Sequence, residues 1–247
     1  MQQAYRVLRI VSEAQTIRII LSSHPGELML KELSIACASL NTESSSGIKA
    51  VVLDFTGELQ QGIKDVPVTD EAVQYATGKM RGAREPGSVS TVVEVALASI
   101  QAIAQPVLAV ARATPSAAAW LLIEAADLTL VADEAVLTIS NVQAGNEALN
   151  GVQAARLGYV TWSVPSSDIP KEMEHILDML REKSAIALQL TKASTQLGRS
   201  SQTNHATALE TLKQVNAFYL EKVMQTKDAS EGLQAFLEKR KPNWKNM

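Results

Sequence analysis

Cysteine, aromatic residues and long apolar runs are all scarce in this chain. Cys37 is the single cysteine among 247 residues, which excludes an internal disulfide and a cysteine-based metal site. The longest apolar run, Ala117–Ile123, is far shorter than the roughly 18 residues that a membrane-spanning helix needs. The net charge is −3, which does not favour contact with nucleic acid. We therefore expect neither a membrane protein nor a nucleic-acid-binding protein.

Other kinds of site are also missing from the sequence. The three histidines lack the spacing of metal ligands, and no glycine-rich phosphate loop of the P-loop or dinucleotide type occurs. The first residues have neither the basic nor the apolar segment of a signal peptide, so a cytoplasmic protein is expected. Cys37 lies among apolar neighbours, which predicts a small buried core residue instead of a catalytic thiol.

Apolar patterning predicts alternating strands and helices through the first part of the chain. Residues 49–55 are too apolar for a half-exposed strand and predict one buried on both faces, as in a parallel sheet. Residues 57–88 are polar and rich in glycine and proline, which predicts a long functional or mobile loop. The other predicted elements are a hairpin over 5–21, helices over 28–40 and 88–105, and strands over 106–110, 128–131 and 136–139. This alternation favours an α/β architecture with crossover connections.

The last third of the sequence is predicted to be helical. Apolar residues recur at helical spacing from about residue 169, over 204–225 and from about 230 to 240. We therefore divide the chain into an α/β core, residues 1–165, and a C-terminal helical region, residues 166–247. No linker composition separates them, so they are predicted to form one continuous structural unit.

The most informative stretch covers residues 105–127 and continues to Gly145. It begins Q-P-V-L-A-V-A-R-A-T-P-S-A-A-A-W-L-L-I-E-A-A-D. This resembles the central block of the crotonase (enoyl-CoA hydratase/isomerase) superfamily, which usually reads K-P-V-I-A-A-V-N-G-x-A-x-G-G-G-x-E-L-A-x-x-C-D. Two further blocks, 151–165 and 228–244, resemble the turn into a late strand and the family ending D-x-x-E-G-x-x-A-F-x-E-K-R-x-P-x-F. The resemblance implies a crotonase-like β/α spiral core, with a C-terminal helical region that forms trimers or hexamers.

Both glutamates of the hydratase pattern are absent. Leu121 stands at the first position and Asn141 at the second, and neither side chain exchanges protons near neutral pH. Glu124 follows Leu121 by three residues and would project from a neighbouring position of a helix. It is either a substitute carboxylate or a partly solvated ion-pair partner. Asn141 either orients a water or a carbonyl or simply suits a turn.

The resemblance also implies two backbone N–H donors that bind a thioester oxygen and stabilise an enolate. One falls at Ala118, where three alanines replace the family glycines and their Cβ atoms are expected to crowd the turn. The other falls at Ile63, in a weakly matching loop. A family segment that helps to wall the acyl pocket is missing, since only 146–150 bridge that gap.

The C-terminal block implies a ligand contact as well. In the family, an aromatic residue and a lysine at the positions of Phe236 and Lys239 lie near the adenine end of coenzyme A. The ammonium group of a lysine is a point charge that can bind a phosphate. The alternative is that Phe236 packs into a subunit interface while Lys239 is solvated.

Two functions remain open on these grounds. The first is an acyl-thioester-binding protein with a degenerate active site and little or no hydratase activity. The second is an atypical acyl-CoA or acyl-carrier decarboxylase or isomerase that uses the backbone oxyanion hole without the paired glutamates. Beyond a coenzyme A thioester as ligand, no cofactor is expected.

Overall fold

The computed structural model describes residues 5–40, 47–57, 65–80, 91–141, 145–199 and 205–246. Its strands are β1 (Arg9–Glu13), β2 (Thr16–Ser22), β3 (Ala50–Gly57), β4 (Val107–Ala111), β5 (Leu128–Ala132), β6 (Val136–Asn141), β7 (Gly145–Asn150) and β8 (Trp162–Val164). Its helices are α1 (Glu27–Leu40), α2 (Asp70–Met80), α3 (Val92–Gln101), α4 (Ala117–Glu124), α5 (Gly151–Arg156), α6 (Ile169–Arg181), α7 (Ala185–Arg199), α8 (His205–Phe218) and α9 (Lys227–Leu237). A π-helical turn, Tyr219–Val223, follows α8.

A six-stranded sheet in the order β1-β2-β3-β4-β5-β8 forms the centre of the protein. β1 and β2 form an antiparallel hairpin, and every later pair in this sheet is parallel. β6 and β7 make a separate antiparallel pair. Parallel strands joined through helices confirm the predicted α/β class.

Both faces of β3 are buried, as its apolar sequence predicts. Val51, Leu53 and Phe55 belong to the main core, which also holds the apolar sides of α1, α3 and α4. Ala50 and Val52 belong to a second core on the opposite face, where α6 covers the sheet. Because side chains alternate along a strand, each core receives every second residue of β3.

Three regions differ from the sequence prediction. The polar stretch expected to be a loop contains α2, whose first turn is capped by the Thr69 hydroxyl, 3.3 Å from the Ala72 amide nitrogen. The predicted helix over 88–105 is shorter, because Thr91 and Glu94 form a capping box that starts α3. Its Val95 is 45% exposed, so α3 is not buried all round as predicted.

The β6–β7 hairpin occupies the place where the family segment is missing. β7 runs directly into α5, which begins at a capping box of Asn150 and Gln153. A Cβ on Gly151 would lie 2.2 Å from the carbonyl oxygen of Ala132, so glycine is required where the hairpin returns to the end of β5. The short bridge in the sequence is therefore an ordered strand and helix start.

An ion pair with a buried lysine connects the C-terminal helices to the sheet. Lys192 of α7 lies 2.7 Å from the Asp127 carboxylate and donates to the Gln105 carbonyl oxygen at 3.1 Å. The predicted boundary after residue 165 falls between β8 and α6 and stays a prediction. In the described part of the chain, no helix is both long and apolar enough to span a membrane.

Cys37 is a core residue, as predicted, and should be chemically inert in the folded protein. It is fully buried in α1, and this burial raises the pKa of the thiol to about 12. Since the thiolate is the reactive form, we expect no alkylation by iodoacetamide at pH 8 until the protein unfolds. Mass spectrometry with and without urea tests this; rapid native alkylation would contradict the burial of Cys37.

Candidate functional site

The carboxyl ends of β2, β3, β4 and β5 lie at one edge of the sheet, because these strands are parallel. In open α/β sheets this edge is where ligands bind. The chain leaves β4 there, passes through 112–115 and enters α4. The Ser116 amide donates to the carbonyl oxygen of Ser23, which follows β2, at 2.9 Å. The start of α4 is thus fixed against the loop after β2.

The alanine triplet forms the first turn of α4. Ser116 is the N-cap, and its hydroxyl accepts from the Ala119 amide at 3.3 Å. None of the three alanines has a positive φ, so the expected crowding is avoided by a helical conformation that any L-residue adopts. Among the hydrogen bonds between described residues, none uses the amides of Ala117 and Ala118. Such first-turn N–H groups lie at the positive end of a helix and suit an oxyanion.

Leu121 places an apolar side chain one turn further along α4. It is 3% exposed and belongs to the main core, together with Trp120 and Leu122. A carboxylate at this depth would require a hydrogen-bonding partner to offset its desolvation. The position of the first family glutamate is therefore part of the packed interior and carries no group that can transfer a proton.

Glu124 lies at the opposite end of the same helix. It is the last residue of α4 and is partly buried. It follows Ala118 by six positions, which corresponds to about 9 Å along a helix axis. The structure does not bring Glu124 to the amides that begin α4, and its role as a substitute carboxylate stays a prediction.

Asn141 ends β6, where its backbone pairs with Gly145 across the hairpin. β6 packs against α4, so the second family glutamate position belongs to an element that contacts the first. The Asn141 side chain is outside the described part of the chain. Its ability to orient a water or a carbonyl stays a prediction.

Ile63, the second predicted amide donor, lies outside the described residues, whereas Asp65, two positions later, is described. The Asp65 carboxylate accepts from the amides of Gly26, Leu28 and Met29 at 3.0, 2.8 and 3.2 Å. Asp65 therefore caps the start of α1 and fixes the chain next to segment 58–64. A Cβ on Gly26 would lie 2.3 Å from the Asp65 Cγ, which explains the glycine there.

Sequence reasoning did not identify Asp65 or Ser116 as positioning residues. Asp65 caps a helix that begins almost forty positions earlier in the chain, and such a contact leaves no local pattern. Ser116 could have been identified from the sequence, because a serine before an apolar helix is a standard N-cap signal. Ser116 fixes the start of α4, which carries the predicted donor Ala118, and Asp65 fixes the start of α1.

Phe236 and Lys239 lie together at the end of α9. Phe236 is 80% exposed, and the Lys239 amide donates to its carbonyl oxygen at 3.2 Å. Lys239 adopts a left-handed conformation with φ of 54°, which ends the helix. Both side chains are on the surface, where either a ligand or a neighbouring subunit could contact them. Within the described residues, no cluster of three or more potential ligands could hold a metal ion.

Sequence comparison finds relatives for part of the chain. Residues 146–247 match the family model for enoyl-CoA hydratase/isomerase. Crotonyl-CoA hydratase of Syntrophomonas wolfei is 32% identical over 98 residues, which is 40% of this chain and 35% of that protein. The match thus spans about a third of that curated relative's length.

Structural comparison extends the likeness to almost the whole chain. Enoyl-CoA hydratase of Mycobacterium smegmatis superposes with a TM-score of 0.69 at 21% identity, covering 96% of this chain and 98% of that one. Enoyl-CoA hydratase of Bacillus anthracis superposes with a TM-score of 0.70 at 21% identity, covering 97% and 99% of the two chains. The C-terminal sequence match and the shared fold agree with the three motif blocks. Residues 146–247 therefore match the enoyl-CoA hydratase/isomerase family, and nearly the whole chain shares the fold of solved enoyl-CoA hydratases.

Proposed function

We propose that this protein binds acyl thioesters and has little or no hydratase activity. The observation that carries the proposal is the burial of Leu121 in the apolar core at the first glutamate position. Hydration requires a base for the water and an acid for the α-carbon, and paired carboxylates perform both tasks. Glu124 lies at the end of α4 opposite to the Ala118 amide. A relative named crotonyl-CoA hydratase makes a coenzyme A thioester the natural ligand class.

A second candidate is an atypical acyl-CoA or acyl-carrier decarboxylase or isomerase. The amide of Ala118, unused by hydrogen bonds among the described residues, favours it. Loss of carbon dioxide from a β-carboxyl thioester generates an enolate without abstraction of a C–H proton. Backbone donors that stabilise the developing negative charge are then the principal requirement.

We also propose that the protein assembles as a trimer or hexamer through its C-terminal helices. Phe236 and Leu237 of α9 are 80 and 78% exposed. Exposed apolar residues gathered on one short helix are typical of an interaction surface. In this arrangement Phe236 and Lys239 would border a coenzyme A bound near the junction of two subunits.

Calorimetric titration with butyryl-CoA, alongside a hydration assay on crotonyl-CoA, tests the proposal. We expect binding without measurable hydration above the uncatalysed rate. Ala118→Pro should weaken butyryl-CoA binding about tenfold or more, because it removes the N–H donor from the oxyanion. Ala117→Pro is the matched control, since proline is tolerated at the first helical position and leaves the Ala118 amide intact. Circular dichroism would check that both variants remain folded.

Three results of these assays would contradict or replace the proposal. Robust hydration that Glu124→Gln abolishes would contradict our assignment of the pocket. No binding at millimolar butyryl-CoA would also contradict it and would leave only a scaffold role. Release of carbon dioxide from malonyl-CoA, reduced by Ala118→Pro, would establish the second candidate in its place.

A further inference from the structure

An elongated apolar groove runs along α7 on the C-terminal helical region, and the proposed function does not use it. It consists of two adjoining cavities of about 390 and 350 Å³. The cavities share Ala187, Tyr219 and Val223 as lining residues. We call the combined space the C-terminal groove. Its volume lies in the range of small-molecule sites.

The floor of the C-terminal groove is one face of α7. Ser184, Ala187, Thr191 and Ser194 line it in succession, and their spacing spans about 15 Å along a helix. The hydroxyls of Thr191 and Ser194 donate to carbonyl oxygens one turn earlier, at 2.7 and 3.0 Å. Since these polar groups are satisfied within the helix, the floor can accept an apolar ligand without an unpaired donor.

The sides of the groove are apolar and poorly covered. Tyr219, Leu233 and Leu212 are 48, 57 and 65% exposed, and Val223, Met224 and the Trp244 ring also line the groove. An open apolar channel of this shape gains free energy when an alkyl chain fills it.

One end of the groove carries a positive charge. Lys183 lines this end and is exposed, and no ion pair between described residues involves it. The nearby Asp228 carboxylate is 2% exposed and already accepts from the Ser184 hydroxyl and from the amides of Lys245 and Asn246. Lys183 is therefore available to an anionic head group, whereas Asp228 is committed to the fold.

We propose that the C-terminal groove binds a medium-chain fatty acid, with its alkyl chain along α7 and its carboxylate at Lys183. The length and apolar lining of the groove favour an alkyl chain, and the positive charge of Lys183 favours the carboxylate head group. This site is separate from the amides that begin α4. It therefore holds whether or not the protein binds acyl thioesters.

Calorimetric titration of the intact protein with octanoate, decanoate and dodecanoate tests the assignment. We expect the affinity to rise about fourfold for each added methylene, the factor that corresponds to burying one CH₂. Lys183→Gln should weaken decanoate binding roughly threefold, as for an exposed charge pair, and should leave decanol binding unchanged. Ala187→Trp should weaken decanoate at least tenfold by filling the floor. Leu157→Trp, on a residue that is 62% exposed and outside the lining, should have no effect.

Three results would overturn the proposal. The first is an affinity that does not depend on chain length. The second is decanoate binding that survives both Ala187→Trp and Lys183→Gln. The third is failure to bind decanoate while sedimentation equilibrium shows that Ala187→Trp disrupts an oligomer, because a second copy of the chain would then occupy the groove. Ala118→Pro separates the two sites, since it should weaken butyryl-CoA but not decanoate.

Discussion

Replacement of Lys192 with methionine is expected to lower the free energy of unfolding by about 3 kcal/mol. The Lys192 and Asp127 side chains are 6 and 26% exposed and lie 2.7 Å apart. Methionine keeps most of the apolar stem but removes the charge. The Asp127 carboxylate then keeps only the Val107 amide, at 2.8 Å, among the partners described. Because Asp127 is partly solvated, the loss should fall at the lower end for a broken buried pair.

Urea denaturation of the wild type and the variant measures this loss. Lys31→Met is the matched control, because Lys31 is 60% exposed and lies 3.4 Å from Glu27. Its effect should stay within about 0.5 kcal/mol, as for other exposed pairs. If Lys192→Met cost no more than the control, the ion pair would not be what fastens α7 to the sheet.

Replacement of Asp228 with alanine is expected to cost about 3–4 kcal/mol, since three donors lose a buried acceptor. The carboxylate accepts from the Ser184 hydroxyl, from the Lys245 amide at 2.7 Å and from the Asn246 amide at 3.0 Å. These bonds hold residues 244–246 against the turn between α6 and α7. The Trp244 indole N–H also donates to the Glu182 carbonyl oxygen, at 2.6 Å. Without Asp228 this end of the chain should detach.

Two measurements on the Asp228→Ala variant test this prediction. Urea denaturation reports the stability, and a red shift of tryptophan emission reports exposure of the Trp244 ring to water. Asp178→Ala is the control, because that side chain is 67% exposed beside Arg181 and should change the stability by no more than about 0.5 kcal/mol. Unchanged emission together with wild-type stability would refute the role given to Asp228.

The core strands could be predicted from sequence because their composition reflects their environment. β3 is apolar at successive positions, and the structure buries it on both faces. α2 could not be predicted in the same way. Its residues are mostly polar and include Gly78, so neither a strong apolar stripe nor uniform helix propensity marks it. The polar composition of residues 57–88 therefore predicts a loop instead of a helix.

The candidate site was only partly accessible to sequence reasoning. The alanine triplet and Leu121 could be located because the match around them runs without a gap. Whether the alanines strain the turn depended on the backbone, which proved to be helical. The cap that Asp65 provides for α1 could not be foreseen, since it depends on tertiary contact between distant segments. Ile63 and the Asn141 side chain lie outside the described residues, so their predicted roles stay predictions.

The order of strands in the six-stranded sheet matches their order along the chain as far as β5. During synthesis, each new strand can thus add to an edge that the preceding strand has just formed. β5 differs, because its partner β8 emerges only after the β6–β7 hairpin and α5 have been made. Until then the Leu128–Ala132 edge is unpaired and apolar, and such an edge invites pairing between chains. Aggregation of nascent protein should therefore be most severe for chains that stop between Ala132 and Trp162.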